Sequence, residues 1–327
     1  MPNASILKNK TILITGANGF VGKALCESLA HQSYKIIAAV RKIDEASNKA
    51  KQIAIEEINA DTDWTSALSG VDTVIHLAAR VHVMHETASD ALTAYRKVNV
   101  EGTLQLAKSA VKAGVKRFIF LSSIKVNGEG TEPNRPYTPE DEPAPVDPYG
   151  VSKLEAEIAL RQLANDTGLE VVIIRPPLIY GPGVKANFKS MMSFLNKSIP
   201  LPLGAINNKR SLVALDNLID LISCCINHPA AANETFLVSD GLDVSTPELL
   251  RSMAKALDKK ALLIPIPSSL LQAVAVIIGK KAFAQRLCSS LQVDVSKTYK
   301  LLNWTPAIKM DAALAKTALF YKNNLSN

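Results

Sequence analysis

Metal-binding and disulfide patterns are missing from this 327-residue chain. It contains only four cysteines, Cys26, Cys224, Cys225 and Cys288. None of them forms a C-x-x-C pair, so neither a zinc site nor a disulfide framework is indicated, and we predict no metal. Cys224 and Cys225 lie in an apolar helical stretch and are interpreted as small core residues. The start of the chain has no signal-peptide pattern, so we expect a cytoplasmic protein.

Long uninterrupted apolar runs are also missing. The most apolar segment, Leu262–Ile278, is broken by Pro265, Pro267 and Gln272, which excludes a membrane-spanning helix. We interpret it as a buried helix and expect no membrane association, with a helix lying on a membrane surface as the alternative.

Charge of one sign is not collected into runs either. The formal net charge is +7, but Lys and Arg are scattered along the chain. This argues against a nucleic-acid surface, and we expect no nucleic-acid partner. The net positive charge is consistent with a small anionic substrate. It is equally consistent with basic residues that only keep the protein soluble.

Short apolar runs alternate with helical patterns through the first half of the chain. The predicted strands are Thr11–Thr15, Lys35–Val40, Ile53–Ile58, Thr73–Ala78, Arg117–Leu121 and Val171–Arg175. This alternation predicts a Rossmann-like, doubly wound parallel α/β sheet with helices on both faces. We predict a dinucleotide-binding domain over residues 1–176. A smaller mixed α/β substrate cap would cover 177–327, with a segment at about 209–240 returning to the main domain.

A glycine-rich turn follows the first predicted strand. Gly16, Gly19 and Gly22 lie in TGANGFVG and open the next helix. Glycines permit a tight turn and let backbone N–H groups approach a pyrophosphate at the helix N-terminus. The spacing is G-x-x-G-x-x-G rather than G-x-G-x-x-G, but its place in a βαβ pattern indicates a nicotinamide dinucleotide.

The end of the second strand bears on the choice of cofactor. Arg41 stands where an acidic residue would bind the adenosine ribose hydroxyls, and it could pair with a 2′-phosphate, which favours NADP(H). Asp44 leaves NAD(H) open. Asp61, after the third strand, is predicted either to face the adenine or to cap the next helix.

Tyr149 and Lys153 are four residues apart in DPYGVSK. On a helix they share one face, where an ammonium group could stabilise a phenolate and lower the pKa of the tyrosine. A proline-rich and acidic loop, about 129–148, leads into them, and Ser122 and Ser123 end the preceding strand. A serine there could hydrogen-bond a reacting oxygen. The histidines receive no catalytic role, and His76 is interpreted as a satisfied core residue.

With these residues placed, the chain resembles the extended short-chain dehydrogenase/reductase family, in its nucleotide-sugar epimerase, dehydratase and reductase branch. The resemblance is carried by TGANGFVG, VIHLAA, NVEGT, FLSS, YGVSK, RPPLIYGPG and the late DVSK and LLNWTP segments. It implies that Ser123 is the catalytic serine, Tyr149 the acid/base and Lys153 the partner of the cofactor ribose.

The resemblance also implies binding residues. The predicted cofactor residues are Gly16, Asn18, Gly19, Phe20, Val21, Gly22, Arg41, Asp61, Leu77, Ala78, Ala79, Asn99, Tyr149, Lys153 and Pro176. The predicted substrate residues are Ser123, Asn187, Phe188, Arg210 and Arg286, the two arginines as partners of a UDP-sugar diphosphate. Dimerisation through two helices per subunit is common in the family, and we expect a homodimer through the helices near Ala91–Ala113 and after Tyr149.

Two departures from the branch bear on the reaction. Epimerases of the branch usually have a tyrosine-glycine pair after the catalytic serine, and 4,6-dehydratases an Asp-Glu pair; this chain has Lys125–Gly128, reading KVNG. We therefore expect no 4,6-dehydratase. SSIKVNGE and ARVHVM resemble a bacterial surface-polysaccharide subgroup. The first expectation is reduction of a UDP-4-keto-(2-acetamido-2,6-dideoxy)hexose at C4. The alternative is a 4-epimerase of the UDP-glucose or UDP-N-acetylglucosamine type with tightly bound NAD, with a polyprenyl-diphosphate-linked sugar as a further alternative substrate.

Overall fold

A seven-stranded parallel sheet forms the centre of the molecule. The computed structural model describes residues 10–44, 50–81, 90–132, 134–277, 279, 285 and 287–325. The strand order is β3-β2-β1-β4-β5-β6-β9, and every neighbouring pair is parallel. These strands are β1 (Thr11–Thr15), β2 (Lys35–Val40), β3 (Lys51–Ala54), β4 (Thr73–His76), β5 (Arg117–Leu121), β6 (Glu170–Arg175) and β9 (Thr235–Leu237). The predicted Rossmann-like, doubly wound fold is confirmed.

Helices connect the strands and cover the sheet. They are α1 (Phe20–His31), α2 (Thr65–Leu68), α3 (Ala91–Arg96), α4 (Thr103–Lys112), α5 (Pro148–Thr167), α6 (Ala186–Asn196), α7 (Leu215–Asn227), α8 (Thr246–Ala256), α9 (Ser268–Ile277), α10 (Ser296–Leu302) and α11 (Met310–Asn323). A π-helical turn, Lys97–Gly102, joins α3 to α4, and short 3₁₀ turns lie at Ile124–Val126 and Pro229–Ala231. A second, two-stranded parallel sheet consists of β7 (Leu178–Tyr180) and β8 (Leu212–Ala214).

Both faces of the central sheet are buried, as near-continuous apolar strands require. In β1, Ile12 and Ile14 join the core cluster beneath α1 and α7, whereas Leu13 joins the cluster beneath α4 and α5. Successive side chains of a strand point to opposite faces, so one short strand supplies both clusters. A third cluster lies among α6, α8 and α11 and includes residues of β7 and β8.

Some strands begin or end at residues other than those predicted from the sequence. The third strand begins earlier and ends at Ala54, and β4 ends at His76, where the chain turns toward the cleft. Asp90 caps α3, because its carboxylate accepts a hydrogen bond of 3.1 Å from the Thr93 N–H. The Asp63 carboxylate accepts a hydrogen bond of 2.9 Å from the Thr65 N–H at the start of α2.

Within the ranges given above, no helix is long and apolar enough to cross a membrane. Over the same ranges, no group of at least three His, Cys, Asp or Glu side chains could hold a metal ion.

Candidate active site

The glycine turn joins β1 to α1 in a tight conformation that residues other than glycine rarely adopt. Gly16 has φ of +66°, in the left-handed region that favours glycine. A Cβ on Gly22 would lie 2.1 Å from the Gly16 carbonyl oxygen, so the first turn of α1 packs directly on the loop. The N-terminal N–H groups of α1 are therefore accessible to a ligand, and they carry the positive end of the helix dipole. The turn fits the pyrophosphate of a dinucleotide.

A cleft of about 1250 Å³ opens along the carboxyl edge of the sheet. It begins at the glycine turn beside β1, on the switch side of the strand order, where ligands bind in open α/β sheets. The predicted residues that line it are Gly16, Asn18, Gly19, Phe20, Val21, Gly22, Arg41, Leu77, Ala78, Ala79, Ser123, Tyr149, Lys153 and Pro176. One continuous cleft thus joins the glycine turn to the predicted catalytic residues.

The end of the cleft beside β2 bears both signs of charge. Arg41 lines it from the end of β2, and Glu56 and Glu57 line it after β3. Asp44 lies farther along, where its backbone N–H donates a hydrogen bond of 2.8 Å to Gln52. Asp61 is exposed outside the cleft lining, and its N–H donates to Asn59 Oδ1 at 2.9 Å.

Asn99 lies beneath the cleft rather than on its wall. Its Oδ1 accepts a hydrogen bond of 2.8 Å from the Arg80 N–H, and its Nδ2 donates to the Arg80 carbonyl at 3.0 Å. The same amide donates to Ser152 Oγ at 2.9 Å. Asn99 is buried on the π-helical turn, an irregularity that is frequent at functional sites. It ties the loop after β4 to the helix that carries Tyr149.

The two serines at the end of β5 have different environments. Ser122 is 3% exposed, and its hydroxyl donates a hydrogen bond of 2.5 Å to Glu157 Oε1. Ser123 is only half-buried, caps the following 3₁₀ turn, and shares a side-chain hydrogen bond with Tyr149. Both serines line the cleft, but the Ser122 hydroxyl is hydrogen-bonded to Glu157, whereas the Ser123 hydroxyl is hydrogen-bonded to Tyr149.

Tyr149 lies in the first turn of α5, where local sequence fixes the helix start. Asp147 is the N-cap, with Oδ1 accepting a hydrogen bond of 2.7 Å from the Gly150 N–H, and Pro148 is the first helical residue. The ring of Tyr95 meets the Tyr149 ring edge-on at 6.2 Å. Burial first, then the charge of Asp147, raises the pKa of the Tyr149 phenol, and the hydrogen bond with Ser123 opposes that rise. The ligand-free tyrosine therefore keeps its proton at neutral pH.

Lys153 lies one turn further along α5 and is almost completely buried. Its Nζ donates a hydrogen bond of 2.8 Å to the Leu121 carbonyl oxygen and lies 4.3 Å from the centre of the Phe120 ring. Burial lowers the pKa of Lys153 to about 7, and the nearby Glu157 carboxylate opposes this shift. Lys153 lines the same cleft as Tyr149, one helical turn away, and its charge varies near neutral pH.

Sequence reasoning missed an ion-pair cluster behind Tyr149. Lys125 Nζ contacts the Asp147 carboxylate and also donates to Glu129 Oε1 at 2.9 Å. A Cβ on Gly150 would lie 2.9 Å from the Lys125 carbonyl oxygen, so the 3₁₀ turn packs closely on the start of α5. The sequence signal was the lysine itself, two residues after Ser123 in the KVNG segment.

A second buried network, also missed, supports Ser122. Glu157 and Arg175 are 1% and 3% exposed and pair at 2.6 Å. Arg175 Nη1 donates a further hydrogen bond of 2.9 Å to Asn127 Oδ1, and Asn127 donates to the Thr138 carbonyl at 2.9 Å. The network links α5 and β6 to the loop that precedes Tyr149. No local pattern revealed it, because charged residues in a helix or strand usually face solvent.

The predicted substrate residues are placed less uniformly. Asn187 is exposed at the second position of α6, outside the cleft lining. Phe188 is 2% exposed and stacks on Tyr180 at 5.6 Å, so it belongs to the third core cluster. Arg210 donates a hydrogen bond of 3.0 Å to the Ser289 carbonyl. Arg286 lies outside the described residues.

His76 has the role expected of a satisfied core histidine. Its Nδ1 bonds to Thr15 Oγ1 at 2.7 Å and its Nε2 to Thr103 Oγ1 at 2.9 Å. Complete burial, and then the nearby Lys153, lower the pKa of His76 to about 3. The ring is therefore neutral at physiological pH.

Comparison with known proteins agrees with this geometry. Residues 12–239 match the NAD dependent epimerase/dehydratase family. A UDP-glucose 4-epimerase of Vibrio cholerae is 50% identical over 313 residues, covering 94% of each chain. An N-acetyl-alpha-D-glucosaminyl-diphospho-ditrans,octacis-undecaprenol 4-epimerase of Escherichia coli O157:H7 is 28% identical and covers 89% of each chain.

Solved structures share the fold. The UDP-glucuronic acid 4-epimerase of Bacillus cereus in complex with NAD superposes with a TM-score of 0.78 at 21% identity, covering 96% of this chain and 99% of that one. A UDP-N-acetylglucosamine 4-epimerase of the same organism gives a TM-score of 0.77 at 19% identity, covering 96% of each chain. At these identities the likeness concerns the fold.

Proposed function

The chain belongs to the NAD-dependent epimerase/dehydratase family of enzymes, and from this premise we propose that it is a 4-epimerase of a UDP-hexose. The observation that carries the proposal is the placement of Ser123, Tyr149 and Lys153 on one wall of a cleft that continues to the glycine turn. The 50% identity to a UDP-glucose 4-epimerase supports epimerisation over the reduction that we expected first from the sequence.

Tyr149 would accept the proton of the sugar 4-hydroxyl and later return it. Epimerisation at C4 removes the hydroxyl proton when the carbon is oxidised and returns it when the carbon is reduced on the other face. Tyr149 is the acid/base, and Ser123, which shares a hydrogen bond with it, holds the same oxygen. One phenol can serve both directions because the proton it takes is the proton it returns.

Lys153 would tune this exchange through its charge. A protonated ammonium at this position stabilises the phenolate, so the Tyr149 pKa falls when Lys153 is charged. With its own pKa lowered to about 7, Lys153 is close to the point at which small changes in the cleft alter its charge. The same side chain would hold the cofactor ribose, for which it already lines the cleft.

The cofactor site fits a nicotinamide dinucleotide, because Gly16 packs closely on Ala78 and Gly22 on the Gly16 carbonyl, and this tight turn brings the N-terminus of α1 to the cleft. When bound, the nicotinamide supplies reversible hydride exchange at the sugar carbon. We propose NAD, retained through turnover, in accordance with the family. On this proposal Arg41 lies beside the adenosine end of NAD and has no 2′-phosphate to bind.

The substrate diphosphate would lie near Arg210. Its guanidinium is mostly enclosed, and burial lowers its pKa while the nearby Glu129 raises it. Arginine is suited to bidentate binding of phosphate oxygens. Glu129 is also the partner of Lys125, so the same carboxylate lies between the proposed diphosphate site and the cluster behind Tyr149.

Reduction of a 4-keto sugar nucleotide is retained as a second function because of one observation. Arg41 lines the adenosine end of the cleft, where a guanidinium can pair with a 2′-phosphate of NADP(H). A reductase would exchange that cofactor at every turnover, whereas an epimerase would keep it.

The test separates these functions by their need for added coenzyme. Purified protein is incubated with UDP-glucose or UDP-N-acetylglucosamine and no coenzyme, and the products are separated by anion-exchange chromatography. We expect the corresponding 4-epimer, and NAD at about one per chain when the protein is denatured and its nucleotide released. An empty cofactor site, together with consumption of NADPH on a 4-keto sugar nucleotide, would establish the reductase.

A pair of matched variants distinguishes catalysis from folding. Tyr149→Phe should lower turnover by about 10²–10⁴-fold while the protein still binds its nucleotide. Tyr34→Phe is the control, since the Tyr34 hydroxyl accepts a hydrogen bond of 2.7 Å from Asn227 and neither residue lines the cleft. Equal activity of the two variants would show that Tyr149 has no catalytic role.

A further inference from the structure

Acidic residues are missing from two long segments of this chain. Residues 171–215 and 259–293 contain no Asp or Glu, yet they carry 11 of the 37 Lys and Arg residues. The rest of the chain holds 26 basic and all 30 acidic residues, a net charge of −4. The overall charge of +7 therefore comes entirely from these two segments.

The structure brings the two segments together at one place. Leu201 N–H donates a hydrogen bond of 2.8 Å to the Leu262 carbonyl, and Ile264 N–H donates back to Leu201 at 2.9 Å. The Gly204 N–H also donates to Ile264 at 2.9 Å. The end of α6, the loop after it and the approach to α9 thus form one surface.

Large aliphatic side chains on this surface are exposed. In α9, Leu270 is 54%, Val274 47% and Ile277 82% exposed. The neighbouring exposed residues are Phe194, Ile199, Leu262 and Ile264. We refer to these seven residues as the apolar patch. An exposed apolar patch of contiguous segments marks an interaction surface.

Basic residues border the apolar patch. Lys197 precedes Ile199 by two residues, and Lys259 and Lys260 precede Leu262 by three and two; all three lysines are exposed. In sequence, Lys280 and Lys281 lie three and four residues after the end of α9. Aliphatic side chains surrounded by lysines, with no acidic residue in either segment, match an anionic lipid surface in both polarity and charge.

Other occupants fit these features less well. A UDP-sugar would be attracted by the charge but would leave the apolar patch in water. A second copy meeting through the same patch would bring two sets of segments together whose own charges are all basic, and like charges disfavour such an interface. We propose that this surface binds the headgroup region of an anionic bilayer, with α9 lying in the interface plane. The exposure of α9 contradicts the expectation of a buried helix. The proposal takes the place of the expectation that the protein has no membrane association.

Vesicle binding by the full-length protein tests the proposal. Sedimentation with phosphatidylcholine vesicles that contain phosphatidylglycerol is compared with sedimentation with pure phosphatidylcholine vesicles. We expect binding only to the anionic vesicles, and release as the salt concentration is raised, because exposed charges are screened. Failure to bind anionic vesicles at low salt would overturn the proposal.

Matched substitutions locate the contact. Val274→Ser with Ile277→Ser, and separately Lys259→Gln with Lys260→Gln, should each weaken vesicle binding by on the order of tenfold. Leu242→Ser is the control, because Leu242 is 55% exposed but lies outside the two segments. Equal binding by all three variants would contradict the assignment. If the α9 variant instead changed the mass of the protein in solution by size-exclusion chromatography, the patch would be an interface between copies. Circular dichroism checks that every variant is folded.

Discussion

The Ser122 hydroxyl donates a hydrogen bond of 2.5 Å to the carboxylate of Glu157, which also forms a buried ion pair with Arg175. The neighbouring Ser123 instead shares a hydrogen bond with Tyr149 at the cleft. The packing around these two adjacent serines therefore gives them different roles. Ser122 stabilises the fold, and Ser123 is available to a substrate.

This difference predicts opposite effects of two alanine substitutions. Ser123→Ala should lower the turnover number by about 10²–10³-fold, because an oxygen-binding hydrogen bond is lost from the reaction. Ser122→Ala should keep turnover near that of the parent and lower the free energy of unfolding by about 1–3 kcal/mol, because Glu157 loses a buried partner. Steady-state kinetics and urea unfolding measure the two quantities. The reverse pattern would exchange the roles of the serines.

Lys125 is predicted to position Tyr149 through Asp147. Removing its charge in Lys125→Met leaves the N-cap carboxylate without this partner beside the tyrosine, so the Tyr149 pKa should rise further. We expect kcat to fall by about tenfold with little change in KM, and the pH at half-maximal kcat to move upward. Lys125→Arg should restore most of both. A pH profile identical to that of the parent would leave Lys125 with a purely structural role.

The raised pKa of Tyr149 predicts its behaviour in the protein without cofactor. Burial disfavours the phenolate, so Tyr149 should show no phenolate absorbance below pH about 10, the ordinary value for a tyrosine. The measurement is the difference in phenolate absorbance between the parent and Tyr149→Phe during a pH titration. Addition of NAD should move the transition to lower pH, because the oxidised nicotinamide is positively charged. A transition near neutral pH without cofactor would contradict this assignment.

Lys153 predicts a particular dependence of stability on pH. Its pKa is lowered from 10.5 in the unfolded chain to about 7 in the folded protein. Between these values the unfolded state binds more protons, so the contribution of Lys153 to the free energy of unfolding rises with pH and is smallest below pH about 7. The free energy of unfolding of the parent minus that of Lys153→Met should therefore increase as the pH rises from about 7 toward 10.5. It is measured by urea unfolding at several pH values.

Lys108→Met provides the control for that series. Lys108 is exposed on α4, so its removal should give a stability difference that stays nearly constant across the same pH range. If both lysine variants changed in parallel with pH, the effect would belong to overall charge and not to the burial of Lys153.

The amino-acid sequence determined the fold class and the chemistry of the candidate site. Near-continuous apolar strands such as Thr11–Thr15 can be buried only in a sheet that is covered on both faces, and this follows from residue order alone. The glycine spacing and the Tyr149–Lys153 interval are likewise local, because one turn or one helical repeat brings those groups together. The short strands β7, β8 and β9 have only three residues each and too little pattern to be predicted.

Tertiary structure alone decided which groups meet across long intervals of sequence. Ser122 and Glu157 are 35 residues apart, and Lys125 and Asp147 are 22 apart, so their contacts depend on how α5 packs against β5 and the loop between them. Packing likewise placed Phe188 in a core cluster and left α9 exposed. The periodicity of apolar residues indicates which side chains are buried. The residues that a given side chain contacts depend on elements that are distant in the chain.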